Sequence, residues 1–560
     1  MNNEFEQDEL EKDEIEDSEK SQGKMVKGSA WMTIGSILSR ILGAIYIIPW
    51  RLIFGASLFP LANTLYTMGY NIYSEFLTIA IAGIPSAVAK EVAHYNALNE
   101  YGVSAKLYKK GITLSVVTGV VCALLIYFCA PILAGSGGKN AIPVIRSLAW
   151  AILIIPAMSL TRGYFQGFQQ MAPSAMSQFV EQLGRVIYML ASAFFIMVII
   201  HGSWVTAVTQ STFAAFVGAV FGFLALGWYY WRRRDHFQGL IASSDNAINV
   251  KTNDLYKEII SQAVPFIILG SGITIFQLID QYSFFNIMHW ATNYTNTNLQ
   301  YIYAIFAANA NKLIMIVVSL ASALAITVVP LLSEARTKGD NHSISKQLSN
   351  ALILFEFVMF PAALGMAAIA GPINRTFYGT ANMDLGADVL TFSAIVSISL
   401  GLFTVVTALM QGISENKRAV KYFVVGTIIK LVTQVPLVYF FGAFGALMAT
   451  AVGFTIANYL IIHSLKREFG LEIDDIKTNS VKILTFALIT YLVALIVVYG
   501  ANFGLGLIFN YNSSLISLFV SVLATAAGGF VYLFLVLRSR VADRVLGNKM
   551  KSVRRLLHIR

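Results

Sequence analysis

Two cysteines, scattered histidines and a charged fraction of only 12% set the first limits on this 560-residue sequence. Cys122 and Cys129 are seven residues apart in an apolar run, and helical rise would separate them by roughly 10 Å, beyond disulfide reach. They read as apolar helix residues and carry no information on redox compartment. The seven histidines form no HExxH pattern and no cluster with cysteine, so no metal site is expected. Gly138-Lys139 lacks the leading glycine and the following Ser or Thr of a phosphate-binding loop. Asp474-Asp475 reads as a solvated turn. Neither catalytic residues nor a cofactor are expected.

Charge is replaced by apolar residues. A hydrophobic share of 56% and a mean hydropathy of +0.66 lie far from globular proteins, where about 25% of residues are charged. Stretches of about 20 apolar residues, long enough to cross a bilayer, recur from Ala30 to Leu537 with no soluble domain between them. The fold class is therefore an all-α polytopic membrane protein with about fourteen spans, the first at 30–53, the second at 62–89 and the last at 513–537.

The net charge of +10 is unevenly distributed. Residues 1–27 hold ten acids and four bases, with Phe5 as their one aromatic residue, the composition of a disordered tail and not of a signal peptide. Residues 538–560 hold eight bases against Asp543, which suits attraction to anionic lipid better than nucleic-acid binding. With both termini inside, cytoplasmic connections, helix ends and tails hold 32 of the 40 Lys and Arg residues, and outer ones hold Arg51, Lys139, Arg146 and Arg375. That asymmetry predicts that both termini lie on the cytoplasmic side.

An offset of 245 residues links Pro85 to Pro330, Gln166-Gly167 to Gln411-Gly412, and Arg185 to Lys430. Six helices repeat with parallel topology, as expected of two lobes around a midplane site. The predicted organisation is an acidic tail (1–27), an N-lobe (28–235), a linker (236–256), a C-lobe (257–465), two further helices (466–538) and a basic tail (539–560).

Four bases (Arg40, Arg185, Lys312, Lys430) and four acids (Glu75, Glu181, Asp280, Glu356) fall inside spans. A charge at a helix centre costs about 2.5 to 3.5 kcal/mol if it faces lipid, so these residues predict a shared polar interior. Asn63, Thr67, Asn71, Ser74, Glu75 and Thr78 share one helix face. Thr33, Ser36 and Arg40 form a second face, with Ser39 beside it. Gln277, Asp280 and Gln281, Asn309 and Lys312, and Lys430 and Gln434 add polar positions in the second half. Glu181 and Arg185 have the spacing and order of a helical ion pair, an alternative to a substrate role. A guanidinium such as Arg40 stays charged and needs an anion.

Ser39-Arg40-Ile41-Leu42-Gly43 with Ile53-Phe54-Gly55, and Thr161-Arg162-Gly163-Tyr164-Phe165-Gln166-Gly167 with Pro173-Ser174-Ala175 and Ser177-Gln178, resemble the MurJ-type lipid II flippases, in the SpoVB/YtgP-like branch of the polysaccharide-exporter superfamily that includes the multidrug extruders. The resemblance spans nearly the whole chain. It implies a monomeric carrier that moves an undecaprenyl-pyrophosphate-linked peptidoglycan precursor across the cytoplasmic membrane by alternating access. The precursor and membrane lipids would be its partners, with the cell-wall synthesis machinery as a candidate associate. It also implies that the last two helices form a groove for the lipid tail. Arg40 matches the family's motif arginine, and Lys312 falls within one residue of a position where many members carry arginine. Tyr46 and Ile47 stand where many relatives have an Arg-Asp pair. A pyrophosphate requires converging bases, and Arg40, Lys312, Arg185 and Lys430 are the candidates, accompanied by Glu75, Ser39, Asn71 and Ser74. Asp280 and Lys430 are expected as an ion-coupling or internal ion pair, because relatives of this fold can hold a cation between the same two helices. Flipping of another polyprenyl-linked glycan and multidrug or cation antiport are the alternatives.

Overall fold

The computed structural model describes residues 39, 42–81, 83–245, 264–380, 383–471, 473–506, 513–546, 550 and 554–555. Regular structure among them is helical throughout: α1 (Ile47–Ile81), α2 (Ile84–Ala97), α3 (Tyr101–Leu133), α4 (Gly138–Gly167), α5 (Met171–Phe194), α6 (Trp204–Arg232), α7 (Arg234–Ala242), α8 (Gly272–Ala291), α9 (Asn296–Tyr303), α10 (Asn311–Thr337), α11 (Asn341–Ala368), α12 (Ala370–Tyr378), α13 (Met383–Gly412), α14 (Asn416–Phe441), α15 (Ala443–Phe469), α16 (Ile473–Gly506), α17 (Ser514–Arg538) and α18 (Val541–Leu546). In a bilayer only internally hydrogen-bonded backbone is tolerated, and continuous helices meet that requirement.

Among the described residues twelve helices are long and apolar enough to cross a membrane, and the pair Val264–Gly270 and Gly272–Ala291, bent by 59°, makes a thirteenth. The first two expected spans share the run Leu42–Ile81, which bends at Gly55, where φ is 71° and glycine meets no steric penalty. The start of the first span, the tail at 1–27 and residues 246–263 of the linker region lie outside the described residues.

The chain divides into two compact units, residues 1–49 with 72–267, and residues 50–71 with 268–560. Residues 50–71 thus pack with the second unit although in sequence they lie between the two parts of the first. Nothing in the hydropathy pattern announces that membership.

Within each unit the 245-residue offset has a physical meaning. Helix α4 spans 138–167 and α13 spans 383–412, while α5 begins at 171 and α14 at 416, so both helices start at the same interval. The matched glycines seat a neighbouring helix. A Cβ on Gly167 would lie 2.6 Å from Val92 of α2, and one on Gly412 would lie 3.1 Å from Leu332 of α10. Close helix approach through small residues is the usual packing device where lipid supplies no hydrophobic drive.

In the second unit α16 and α17 pack on α11 and α12 through Ile353, Phe357, Ile483, Tyr532 and Val536, and through Ala368, Ile369, Ala494, Val498 and Val520. Their other faces are apolar and exposed. Leu484, Leu488, Leu492 and Ile496 recur every fourth residue at 42, 46, 56 and 69% exposure, one continuous helix stripe of the kind that lipid covers.

Candidate functional site

The second unit gathers most of the polar groups that the sequence singled out. Trp50, fully buried, packs on Phe54, Phe59 and Tyr66 at centroid distances of 4.7, 5.8 and 5.8 Å. This aromatic cluster fixes the α1 segment in the unit and presents its polar stripe to α8–α10. Asn63 Nδ2 donates to Asn309 Oδ1 at 2.6 Å, and Lys312 Nζ donates to Asn63 Oδ1 at 2.6 Å while lying 5.0 Å from the centre of the Tyr66 ring. Asn71 Nδ2 donates to Gln281 Oε1 at 3.1 Å, Gln281 Nε2 to the Met68 carbonyl at 3.3 Å, and the Thr64 hydroxyl to the Gln300 carbonyl at 2.8 Å. The seven-residue wide turn Ala304–Ala310 ends two residues before Lys312; such π-turns within helices recur at functional sites.

A second network surrounds Lys430, which is fully buried. Its ammonium donates to Asp280 Oδ1 at 2.8 Å and to Thr450 Oγ1 at 2.6 Å, and Gln434 Nε2 donates to the same Asp280 oxygen at 2.8 Å and to Ser283 Oγ at 3.1 Å. Phe276 lies under the ammonium at 5.3 Å and stacks on Phe454 at 4.1 Å. The site exists because α14 and α15 touch through Gly426 and Gly453: a Cβ on Gly453 would fall 2.9 Å from the Gly426 carbonyl and 3.0 Å from Lys430 Cβ. The ion pair is therefore held by hydrogen bonds to both members in a space closed by glycine and phenylalanine, the arrangement that buried charge requires.

In the first unit, Arg162 of the TRGYFQG motif donates to Ser177 Oγ at 2.8 Å and to Glu181 Oε2 at 2.7 Å, and Ser177 Oγ donates on to the Gly222 carbonyl at 2.9 Å. Arg162 is thus a partner of Glu181 that helical spacing alone could not reveal. Arg185 is half-buried, with its Cβ 2.9 Å from where a Cβ on Gly218 would stand. Ser39, Ser74 and Glu75 are half-buried in the same unit, and the Ser74 carbonyl accepts from Thr78 Oγ1 at 2.9 Å. Arg40 lies outside the described residues. Glu356 accepts a short hydrogen bond from the Ser480 hydroxyl of α16, so this acid belongs to the α11–α16 contact.

The structure therefore brings Asp280 and Lys430 together, and Lys312 together with Asn63 and Asn309. Asn63, Asn309, Gln281 and Gln434 were visible as polar residues in apolar helices; their pairing was not. Among the described residues no group of three or more His, Cys, Asp or Glu side chains is arranged to hold a metal.

Residues 25–336 match the family model described as polysaccharide biosynthesis protein. The chain belongs to this family. Its MurJ-type character rests on 34% identity over 540 residues to the lipid II flippase MurJ of Bacillus subtilis (strain 168), a match covering 94% of this chain and 97% of that protein. Among solved structures, a lipid II flippase MurJ in an inward closed conformation matches with a TM-score of 0.60 at 15% identity, covering 92% of this chain and 99% of the other. A MATE transporter crystallised with MaL6 matches with a TM-score of 0.58 at 13% identity, covering 81 and 97%. The structural matches fix the fold, which MurJ-type and MATE proteins share. This family member is a multi-pass membrane protein built on that fold.

Proposed function

We propose that this chain is a flippase that moves the undecaprenyl-pyrophosphate-linked peptidoglycan precursor, lipid II, from the inner to the outer leaflet of the cytoplasmic membrane by alternating access. The observation that carries the reading is the end-to-end identity of 34% with a lipid II flippase. Lys312 is assigned to the pyrophosphate: its ammonium reaches the polar stripe of α1 through Asn63, and charge-assisted hydrogen bonds from such a base are strong in a low-dielectric space. Arg40, Arg185, Glu75, Ser39, Asn71 and Ser74 stay with it as substrate-side residues.

Lys430 is assigned first to its ion pair with Asp280. A lysine ammonium there supplies the positive charge that a bound cation would otherwise bring, so transport needs no sodium ion at Asp280. Movement of charge in the membrane potential, worth about 2.3 kcal/mol per charge per 100 mV, supplies the drive. Both termini are placed in the cytoplasm on the distribution of basic residues. Cysteines introduced at the exposed positions Asn296 and Ser243 should label from outside and inside respectively.

The deciding experiment is depletion of the protein in its own cells followed by extraction of lipid-linked intermediates. Accumulation of lipid II on the inner leaflet supports the reading. Accumulation of a different polyprenyl-linked glycan assigns the chain to that glycan, and no lipid-linked accumulation removes the proposal.

A further inference from the structure

A cavity of about 440 Å³ in the second unit borders the Lys312 network at Asn309 and is lined by neither Lys430 nor Asp280; among the described residues of its lining Arg51 is the one base, and no aspartate or glutamate occurs. Arg51 precedes the bend at Gly55 and is held in place by its neighbour Trp50, which is completely buried. Its Nε is buried and takes part in no hydrogen bond, and among the described residues no carboxylate lies within ion-pair distance of it. A guanidinium remains charged at any physiological pH, so this arrangement asks for an anion from outside the protein.

The surroundings suit an oxyanion. Gly379, at a φ of 81°, passes so close that a Cβ there would run into the guanidinium, whereas a Cβ on Gly55 would stand in open space. Glycine at both positions leaves the cavity room around the charge. Tyr301 and Tyr378 in the wall have committed their hydroxyls to the Ser57 and Asn309 carbonyls, at 2.6 and 2.9 Å. The Asn374 amide and the Ser514 hydroxyl also line the space and enter no side-chain hydrogen bond among the described residues. Ser514 opens α17, where the helix dipole favours negative charge.

The expected spans give the cavity a place along the membrane normal. Its lining falls at the joins of the expected spans 30–53 and 62–89, 259–289 and 299–332, 349–371 and 389–411, and 481–502 and 513–537. A chain that crosses the bilayer each time returns all such odd-to-even joins to one face, opposite the termini.

We propose that this cavity is an oxyanion subsite on the outer face, taking a phosphate borne by a lipid: the diphosphate of the delivered substrate or the headgroup of an anionic phospholipid. The assignment to the outer face and the first of these sources rest on the function proposed above; the charge and shape of the cavity do not. In the first case the subsite is a landing point for the pyrophosphate after it has left the Lys312 region. In the second it anchors the outer ends of these helices to the headgroup layer.

The test is native mass spectrometry of the purified full-length chain, titrated separately with geranylgeranyl diphosphate and with phosphatidylglycerol. Arg51→Gln should weaken one or both by about tenfold, the loss of a charge-assisted hydrogen bond, and Arg51→Lys should retain most of the binding. Ser514→Asp is the second variant: it is favourable at a helix start and puts a competing carboxylate on the wall, so it should weaken the same ligand even where Arg51→Gln folds poorly. Loss confined to the diphosphate, or shared by both ligands, identifies a substrate subsite; loss confined to phosphatidylglycerol identifies a headgroup site. Unchanged binding of both ligands in both variants overturns the proposal. Lys312→Ala separates the two assignments. If it abolishes diphosphate binding while the Arg51 and Ser514 variants bind both ligands normally, the subsite is wrong and the flippase reading stands. If the wild-type chain binds no diphosphate yet binds phosphatidylglycerol through Arg51, the subsite stands and the flippase reading falls.

Discussion

Lys430 and Arg51 are bases of the same unit held in opposite ways. Lys430 has no exposure, a carboxylate at 2.8 Å and a hydroxyl at 2.6 Å; Arg51 lines a cavity with no acid among its described residues. A charge enclosed with its counter-charge is structural, because removing either member leaves the other desolvated and alone. A charge facing a cavity without an internal counter-ion is available to a ligand. Read from sequence, Lys430 falls inside a span and Arg51 at an outer helix end; neither position says which atoms surround the charge, and those surroundings decide its role.

Mutations of the enclosed pair should have the largest effect on stability. Asp280→Ala strands the Lys430 ammonium and should destabilise the purified protein by about 3 to 5 kcal/mol, read as a lower thermal midpoint in detergent. Asp280→Leu combined with Lys430→Met removes both charges and should recover most of that loss. If the double variant is no better than Asp280→Ala, the pair is not an isolated unit and Lys430 has a further obligatory partner.

Lys312 tests the middle of the comparison, a base that touches the Asn63 amide oxygen and the face of Tyr66. Lys312→Ala should abolish growth complementation in a depletion strain at normal membrane abundance, and Lys312→Arg should retain it. Complementation by Lys312→Ala would remove this residue from the substrate path.

Gly453→Ala probes the enclosure without touching a charge. The added methyl would stand 2.8 Å from Phe276 and 3.0 Å from Lys430 Cβ, an overpacking expected to cost about 1 to 3 kcal/mol in the same thermal assay. The smallest effect belongs to Arg51→Met. With no internal pair to break, stability should change by less than about 0.5 kcal/mol or rise slightly. A loss comparable to that of Asp280→Ala would place Arg51 in the structural class with Lys430.

Much of the architecture was legible because a bilayer imposes one rule on every segment that crosses it. The hydropathy runs gave the spans, and the offset of 245 residues gave helices α4 and α13 their equivalent limits. The polar stripe at Asn63, Asn71 and Ser74 was legible for the same reason, since a polar group in such a helix must find a partner. Its partners were not. Asn309 and Gln281 lie 246 and 210 residues away from Asn63 and Asn71, and helical periodicity carries information over a few turns only. Glu181 shows the same limit: local spacing suggested Arg185, whereas Arg162 on the preceding helix supplies a contact at 2.7 Å.

The sequence by itself determined that this is a helical membrane protein with an interior that must accommodate charge, because apolar length and the cost of charge in lipid are properties of local composition. Tertiary structure alone decided that residues 50–71 join the second unit, that Lys430 is closed in with Asp280, and that Arg51 opens on a cavity. The reason is physical: whether a charge is structural or available depends on which atoms lie within about 4 Å of it, and those atoms are brought there by helices remote in the chain.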